Sequence, residues 1–262
     1  MKILFFGDII GEPGRDAIKV LLPDLRREFK PDFVIANGEN SAHGFGITPK
    51  ILEDLFSFEI DVITSGNHIW DKKEVMQIID KEPRLLRPAN YPPGVAGIGF
   101  KVYTAANGLK VGVLNLEGRV YLSNIDCPFR TAKEAIKILK AETNIIIIDF
   151  HAEITSEKNA LACYLDGEVS AVFGTHTHVQ TADERILPDG TAFITDTGMC
   201  GSADSVIGMK KEIALQRFLY DIPVRFEVET KNINVNGVFV EIDDNSGRAV
   251  SITRICRKYL RG

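Results

Sequence analysis

The stretch KILFFGDI, residues 2–9, sets four apolar side chains in a row before it breaks at Gly7 and Asp8. Strand side chains point alternately to two faces, so an unbroken apolar run makes a strand that must be covered on both sides. The pattern returns in DFVIANGEN (32–40), DVITSGNH (61–68), NIIIIDFH (144–151) and AVFGTHTH (171–178), each passing from apolar residues into a polar or glycine turn. Between these runs, GRDAIKVLLPDLRREF (14–29), TPKILEDLFSF (48–58) and ITSEKNALACYLDG (154–167) have helical spacing. Buried strands alternating with helices predict an α/β fold.

The remaining segments argue against a purely parallel sheet. Asn107-Gly108 inside KVYTAANGLKVGVLNLEG (101–118) is a hairpin signal, and Pro188-Asp189-Gly190 inside ERILPDGTAFITDTG (184–198) is a second turn. RFEVETKNINVNGVFVEID (225–243) reads as further antiparallel strand. Mixed sheets covered by helices are therefore expected. Residues 72–106 contain the Pro- and Gly-rich RPANYPPGVAG (87–97) and are expected to form a small cap or long loops. With 262 residues, 45% of them hydrophobic and 26% charged, the chain suits one domain over 1–262 with one sizeable core.

Several function classes drop out on composition. No apolar run approaches the ~18 residues that span a bilayer, so a cytoplasmic protein without a membrane partner is expected. Cys127, Cys163, Cys200 and Cys256 stand far apart without a C-x-x-C pair, and are expected to be reduced and structural. The net charge is −5, and the basic residues near the C-terminus, such as Arg254, Arg257 and Lys258, are scattered. That argues against a surface that coats nucleic acid. No G-K-[ST] follows the glycine segments, GDIIGEPG lacks dinucleotide-fingerprint spacing, and a G-x-S-x-G elbow is absent. If the protein is a hydrolase, water must be the nucleophile.

The reactive side chains gather where the strands end. Asp8 follows the first run, Glu39 and Asn40 the second, Asn67 and His68 the third, His151 the fourth, and His176 and His178 the fifth. Each has an ordinary explanation when taken alone. Asp8 suits a turn, asparagines in GEN and GNH tolerate left-handed backbone, His151 suits a satisfied core position, and His43 reads as a loop residue. His-x-His on a strand would place both rings on one face, which suits a metal. Five strands delivering such groups to one rim outweigh the separate explanations, because that edge is where α/β sheets form ligand crevices.

The order of an Asp, a Gly-acid pair, Gly-Asn-His, a lone strand-end His and a Gly-flanked His-x-His resembles the calcineurin-like metallophosphoesterases. GDIIG, ANGENSAHGFGIT, SGNHIWDK, RPANYP and GTHTHVQTAD resemble more closely the YmdB-like branch, over residues 1 to about 205. The resemblance implies a four-layer αββα sandwich of mixed sheets, two divalent or transition-metal ions (iron or manganese), and hydrolysis of phosphodiesters, with 2′,3′-cyclic nucleotides as the substrate class. It further implies that Glu39 bridges both metals, that Asp8 and His178 serve one, and that Asn67, His151 and His176 serve the other. The resemblance also makes Asn40 an expected extra ligand of the first metal, where Ile10 stands in place of the histidine of the wider superfamily, and implies that His68 stabilises the phosphate and protonates the leaving group. Alternatives kept open are a regulatory or RNA-associated binding protein that retains a metal site, and a phosphomonoesterase or phosphoprotein phosphatase. A homo-oligomer, dimer or tetramer, is expected from the exposed hairpins.

The chemistry fits these residue types independently. Two divalent ions about 3.5–4 Å apart can share a carboxylate and position water for in-line attack on phosphorus. Asp8 and Glu39 remove two of the four metal charges, which leaves the centre attractive to an anion. Mixed nitrogen and oxygen donors without thiolate suit Mn, Fe, Zn, Co or Ni better than Ca.

Overall fold

A computed structural model describes residues 1–259, so the last three residues of the expected 1–262 domain lie outside it. Its first sheet combines β1 (Lys2–Phe6), β2 (Asp8–Ile9), β3 (Phe33–Asn37), β4 (Val62–Thr64), β11 (Met199–Ser202), β12 (Ile233–Ile242) and β13 (Ala249–Tyr259). The order is β2-β11-β12-β1-β3-β4, with β13 also paired to β12. The second sheet runs β5 (Phe100–Thr104), β6 (Lys110–Glu117), β7 (Ile146–His151), β8 (Ala171–Thr175), β10 (Ala192–Ile194) and β9 (Arg185–Ile186). Both sheets are mixed. β1, β3 and β4 are parallel, as are β6, β7, β8 and β10, while β1–β12, β5–β6 and β9–β10 are antiparallel.

The unbroken apolar strands are explained by what covers them. Ile3 and Phe5 of β1 face the second sheet, where they join Val113, Ile147 and Phe173. The rings of Phe5 and Phe173 lie 5.1 Å apart across that interface. Leu4 and Phe6 turn the other way, onto Ala17, Ile18, Leu22 and Leu25 of α1 (Gly11–Phe29) and Leu52 and Leu55 of α2 (Pro49–Ser57). On the far side, Ile146, Ile148 and Phe150 of β7 pack on α3 (Pro128–Leu139) and α4 (Thr155–Tyr164). The layers are therefore helix, sheet, sheet, helix, as the family resemblance implies. Burying one large aliphatic or aromatic side chain contributes about 1.5–3 kcal/mol, so three such clusters hold the layers together.

Several local expectations change. The strand that leads into the His-x-His pair stops at Thr175, and His176 and His178 lie beyond it with φ of 96° and 66°. The same-face argument for a His-x-His strand therefore does not apply. In RFEVETKNINV the strand begins only at Ile233, after an isolated bridge between Val228 and Met209. Cys163 and Cys256 are exposed, so the expectation that all four cysteines are structural fails for them; Cys200 is buried, and all four are unpaired. Within 72–106, a short 3-10 turn (Lys73–Gln77) precedes single bridges Ile63–Leu85 and Leu86–Ile98, and the segment ends in edge strand β5. Among the described residues no helix is long and apolar enough to cross a membrane.

Candidate metal centre

Five strand ends, three from the first sheet and two from the second, bring the reactive residues together at one end of the sandwich. Asp8 starts β2 directly after β1, Glu39 and Asn40 follow β3, and Asn67 and His68 follow β4. His151 is the last residue of β7, and His176 is the first beyond β8. The tight approach needs glycine at position 66, because a Cβ there would stand 2.2 Å from the His151 ring. His43 has positive φ and lies outside the cavity that Glu39, Asn40, His68, His176 and His178 line, in keeping with a loop role.

One group of donors surrounds His151 Nε2. Glu39 Oε1 is 2.9 Å away, Asn67 Oδ1 3.0 Å and His176 Nδ1 3.0 Å. The donor atoms of Glu39, His151 and His176 all lie within 4.8 Å of one another. A second pair stands beside it: Asp8 Oδ1 is 3.8 Å from His178 Nε2. Asn40 lines the same cavity as Glu39 and His178, with its amide nitrogen donating to the Gly44 carbonyl at 3.0 Å.

Protons alone do not explain this packing. The Thr175 hydroxyl donates to Asp149 Oδ1 at 2.7 Å, so at 2.9 Å its oxygen must accept from His151 Nδ1–H. That leaves a lone pair on Nε2, which meets only acceptor atoms of Glu39 and Asn67 whenever Glu39 is ionised. Burial pushes His151 down to about 3 and His176 to about 2, so both rings are neutral and the contact with Glu39 is not an ion pair. Burial also pushes Asp8 and Glu39 up to about 7. Asp8 Oδ1, Glu39 Oε1 and Asn40 Oδ1 are buried without a hydrogen-bond partner. Such groups are expensive unless something satisfies them. Donors bound to one transition metal at about 2.1 Å stand about 3 Å apart, so the spacing and the N/O donor set fit metal ions.

His68 sits differently. Its backbone N–H donates to Glu39 Oε2 at 3.0 Å, while its ring Nδ1 meets Asp71 Oδ2 at 2.8 Å and packs edge-on against Phe45 at 5.0 Å. Asp71 occupies Nδ1, which leaves Nε2 for a ligand in the cavity that His68 lines. Ile10, by contrast, is fully buried against Gly201 and Gly208 and offers no donor.

Sequence reading missed the residues that hold the ligands. Asp196 Oδ2 accepts from the Thr177 amide (3.1 Å), the Thr177 hydroxyl (2.7 Å) and Lys158 Nζ (2.8 Å), and Oδ1 accepts from the Gly198 amide (2.8 Å). This carboxylate clamps the strained bend between His176 and His178, where positive φ is costly for a side chain with a Cβ. His178 Nδ1 meets the Ile207 carbonyl at 2.9 Å, and His176 Nε2 meets Glu153 Oε2 at 2.9 Å. Asp149 also accepts from Asn37 at 3.0 Å and Thr64 at 2.5 Å, and Asn37 Oδ1 accepts from the Glu39 amide at 3.1 Å. The signal for Asp196 was present: in TAFITDTG it too is an acid directly after an apolar strand.

The profile of the YmdB-like protein family matches residues 4–255. The chain belongs to the YmdB-like family. A 2′,3′-cyclic-nucleotide 2′-phosphodiesterase of Bacillus subtilis strain 168 is 52% identical over 255 residues, covering 97% of this chain and 96% of the relative. Two solved structures each superpose on it with a TM-score of 0.92. One, a hypothetical protein from Thermus thermophilus, is 39% identical and covers 98% of this chain and 99% of its own. The other, described as a novel phosphatase from Mycoplasma pneumoniae, is 38% identical and covers 98% and 93%. The sulfate thiohydrolase SoxB of Thermus thermophilus shares the fold alone, at a TM-score of 0.56 and 11% identity over 95% of this chain and 43% of that one. The calcineurin-like phosphoesterase fold expected from the sequence is thus the observed one.

Proposed function

We propose that the protein is a dinuclear metal-dependent phosphodiesterase that hydrolyses 2′,3′-cyclic nucleotides to nucleoside monophosphates. The reading is carried by the cavity of about 330 Å³ that opens on Glu39, His68, His176 and His178, and among the described residues that line it there is no lysine or arginine. A phosphomonoester dianion is usually clamped by several cationic side chains, whereas a diester carries one charge. The activity of the Bacillus subtilis relative points the same way.

Asp8, His178 and Asn40 would hold one ion, and His151, His176 and Asn67 the other, with Glu39 between them. When bound, the ions supply Lewis-acid polarisation of the phosphoryl group and activation of water. Iron or manganese suits the donor set. Glu39 is oriented for its shared role by the His68 amide on Oε2, which turns Oε1 toward His151. His68, steadied through Nδ1–H by Asp71, presents Nε2 to the substrate, and as the imidazolium it would give the Nε2 proton to the departing alkoxide. Steady-state hydrolysis of 2′,3′-cAMP and of a simple monoester, with Mn²⁺ or Fe²⁺ supplied, tests the assignment. The expected result is a higher kcat/KM for the cyclic diester, and a clearly higher value for the monoester overturns it.

A further inference from the structure

Beside the metal-facing residues, the same cavity has an apolar wall. It is made by Phe45, Val206, Ile207, Met209, Phe218 and Phe226. Phe218 lies on α5 (Lys211–Tyr220), a helix on which only Ala214 is buried, and its ring is 79% exposed. Phe226 is 37% exposed. Neither ring stacks on another aromatic side chain among the described residues. Two unsatisfied aromatic rings at the mouth of a polar site gain by covering a flat apolar face.

The polar lining is already engaged. Asn40 donates to Gly44, Thr177 to Asp196, His178 meets the Ile207 carbonyl, His68 meets Asp71, and Glu153 meets His176. Asn40 Oδ1 and His68 Nε2 are assigned above to metal and phosphate, which leaves one oxygen of Glu153 as the free polar atom among these. A nucleoside 2′,3′-cyclic phosphate carries its base one sugar ring from the phosphate, so a phosphate at His68 and His176 sends the base toward the apolar wall.

We infer that this wall is a nucleobase platform, with Phe218 and Phe226 as its stacking rings, and that it holds purines and pyrimidines alike. The inference rests on the cyclic-nucleotide reading above. Stacking is tolerant of sequence because every base has a π-face, and losing one ring weakens binding by about tenfold.

The test compares 2′,3′-cAMP, 2′,3′-cGMP, 2′,3′-cCMP and 2′,3′-cUMP with base-free ribose 2′,3′-cyclic phosphate on the metal-loaded enzyme. Wild type should hold KM for the four nucleotides within about threefold of one another and about tenfold below the base-free diester. Phe218→Ala, at an exposed position, should raise KM for every nucleotide toward the base-free value while leaving kcat and the base-free KM unchanged. Phe226→Ala should do the same. Unchanged nucleotide KM in both variants overturns the platform, as does equal wild-type KM with and without a base. So does a loss of oligomeric mass in Phe218→Ala with KM unaltered, which assigns the exposed ring to a second copy. If wild type hydrolyses none of the cyclic diesters, the proposed activity fails instead, and the two failures are distinct.

Discussion

At the scale of single residues, His68 carries the sharpest division of labour. Its neighbour Asn67 faces His151 Nε2, yet the His68 ring turns to Asp71, the partner that three-residue spacing in a loop allows. That pairing alone would suit a structural histidine. Its place in the cavity lining and its amide contact to Glu39 assign it to the site. His68→Gln is expected to lower kcat by ~10²–10⁴, the usual range for losing general acid–base help, and to leave metal content near that of wild type. Activity and elemental analysis on the same preparation check both halves. Loss of both metals would make His68 a ligand.

At the scale of elements, parallel neighbours β7 and β8 act as one device. Their register sets His151 opposite Thr175, the last residue of its strand. The Thr175 hydroxyl then bridges His151 and the buried Asp149, and this fixes which ring nitrogen of His151 faces the other donors. Outer hydrogen bonds of this kind are worth about 10–100-fold in metal affinity. Thr175→Val, which keeps the shape and removes the hydroxyl, should lose metal to a mild chelator at concentrations that wild type resists. Thr175→Ser should retain it. Equal thermal stability of the metal-free variants would separate this effect from a folding defect. Equal metal retention by Val and Ser would remove Thr175 from the role.

At the scale of the whole molecule, bringing two sheets together buries acids that an unfolded chain leaves in water. In the metal-free protein Asp8 and Glu39 titrate at about 7, above the ordinary values of 3.8 and 4.5, chiefly because of burial. Stability from holding these protons is complete below about pH 4 and is lost as pH rises through about 7. The depressed histidines act in the opposite sense: folding with His151 and His176 neutral is penalised as pH falls below 6.5. A metal held by Asp8 and Glu39 would displace their protons below about 7 but none from the neutral histidines. Affinity should therefore climb by up to about a hundredfold per pH unit below that value, one factor of ten for each proton released. The rise in melting temperature on adding Mn²⁺ should grow from pH 5.5 to 7.5 and then level off. A gain that is constant across this range would show that the two acids do not share the metal site.

The strands and their order of donors were legible because each depends on local pattern, whereas the four-layer arrangement was implied by the family resemblance. KILFF and IIII cannot be exposed on either face, and a reactive residue at a strand's end is carried to the same rim whichever sheet holds the strand. Asp8, Glu39, Asn40, Asn67, His68, His151, His176 and His178 were legible as candidates for the same reason. The sequence did not reveal that three strand ends come from one sheet and two from the other, because pairing partners are set by contacts remote in the chain. Nor did it reveal that His176 and His178 leave the strand: backbone strain there is sustained by Asp196, which is 20 residues from His176 and pairs with Lys158 of α4. That lysine, in SEKNALACY, is fully buried. A buried charge is tolerable only beside its counter-charge, and only the tertiary structure brings the two together.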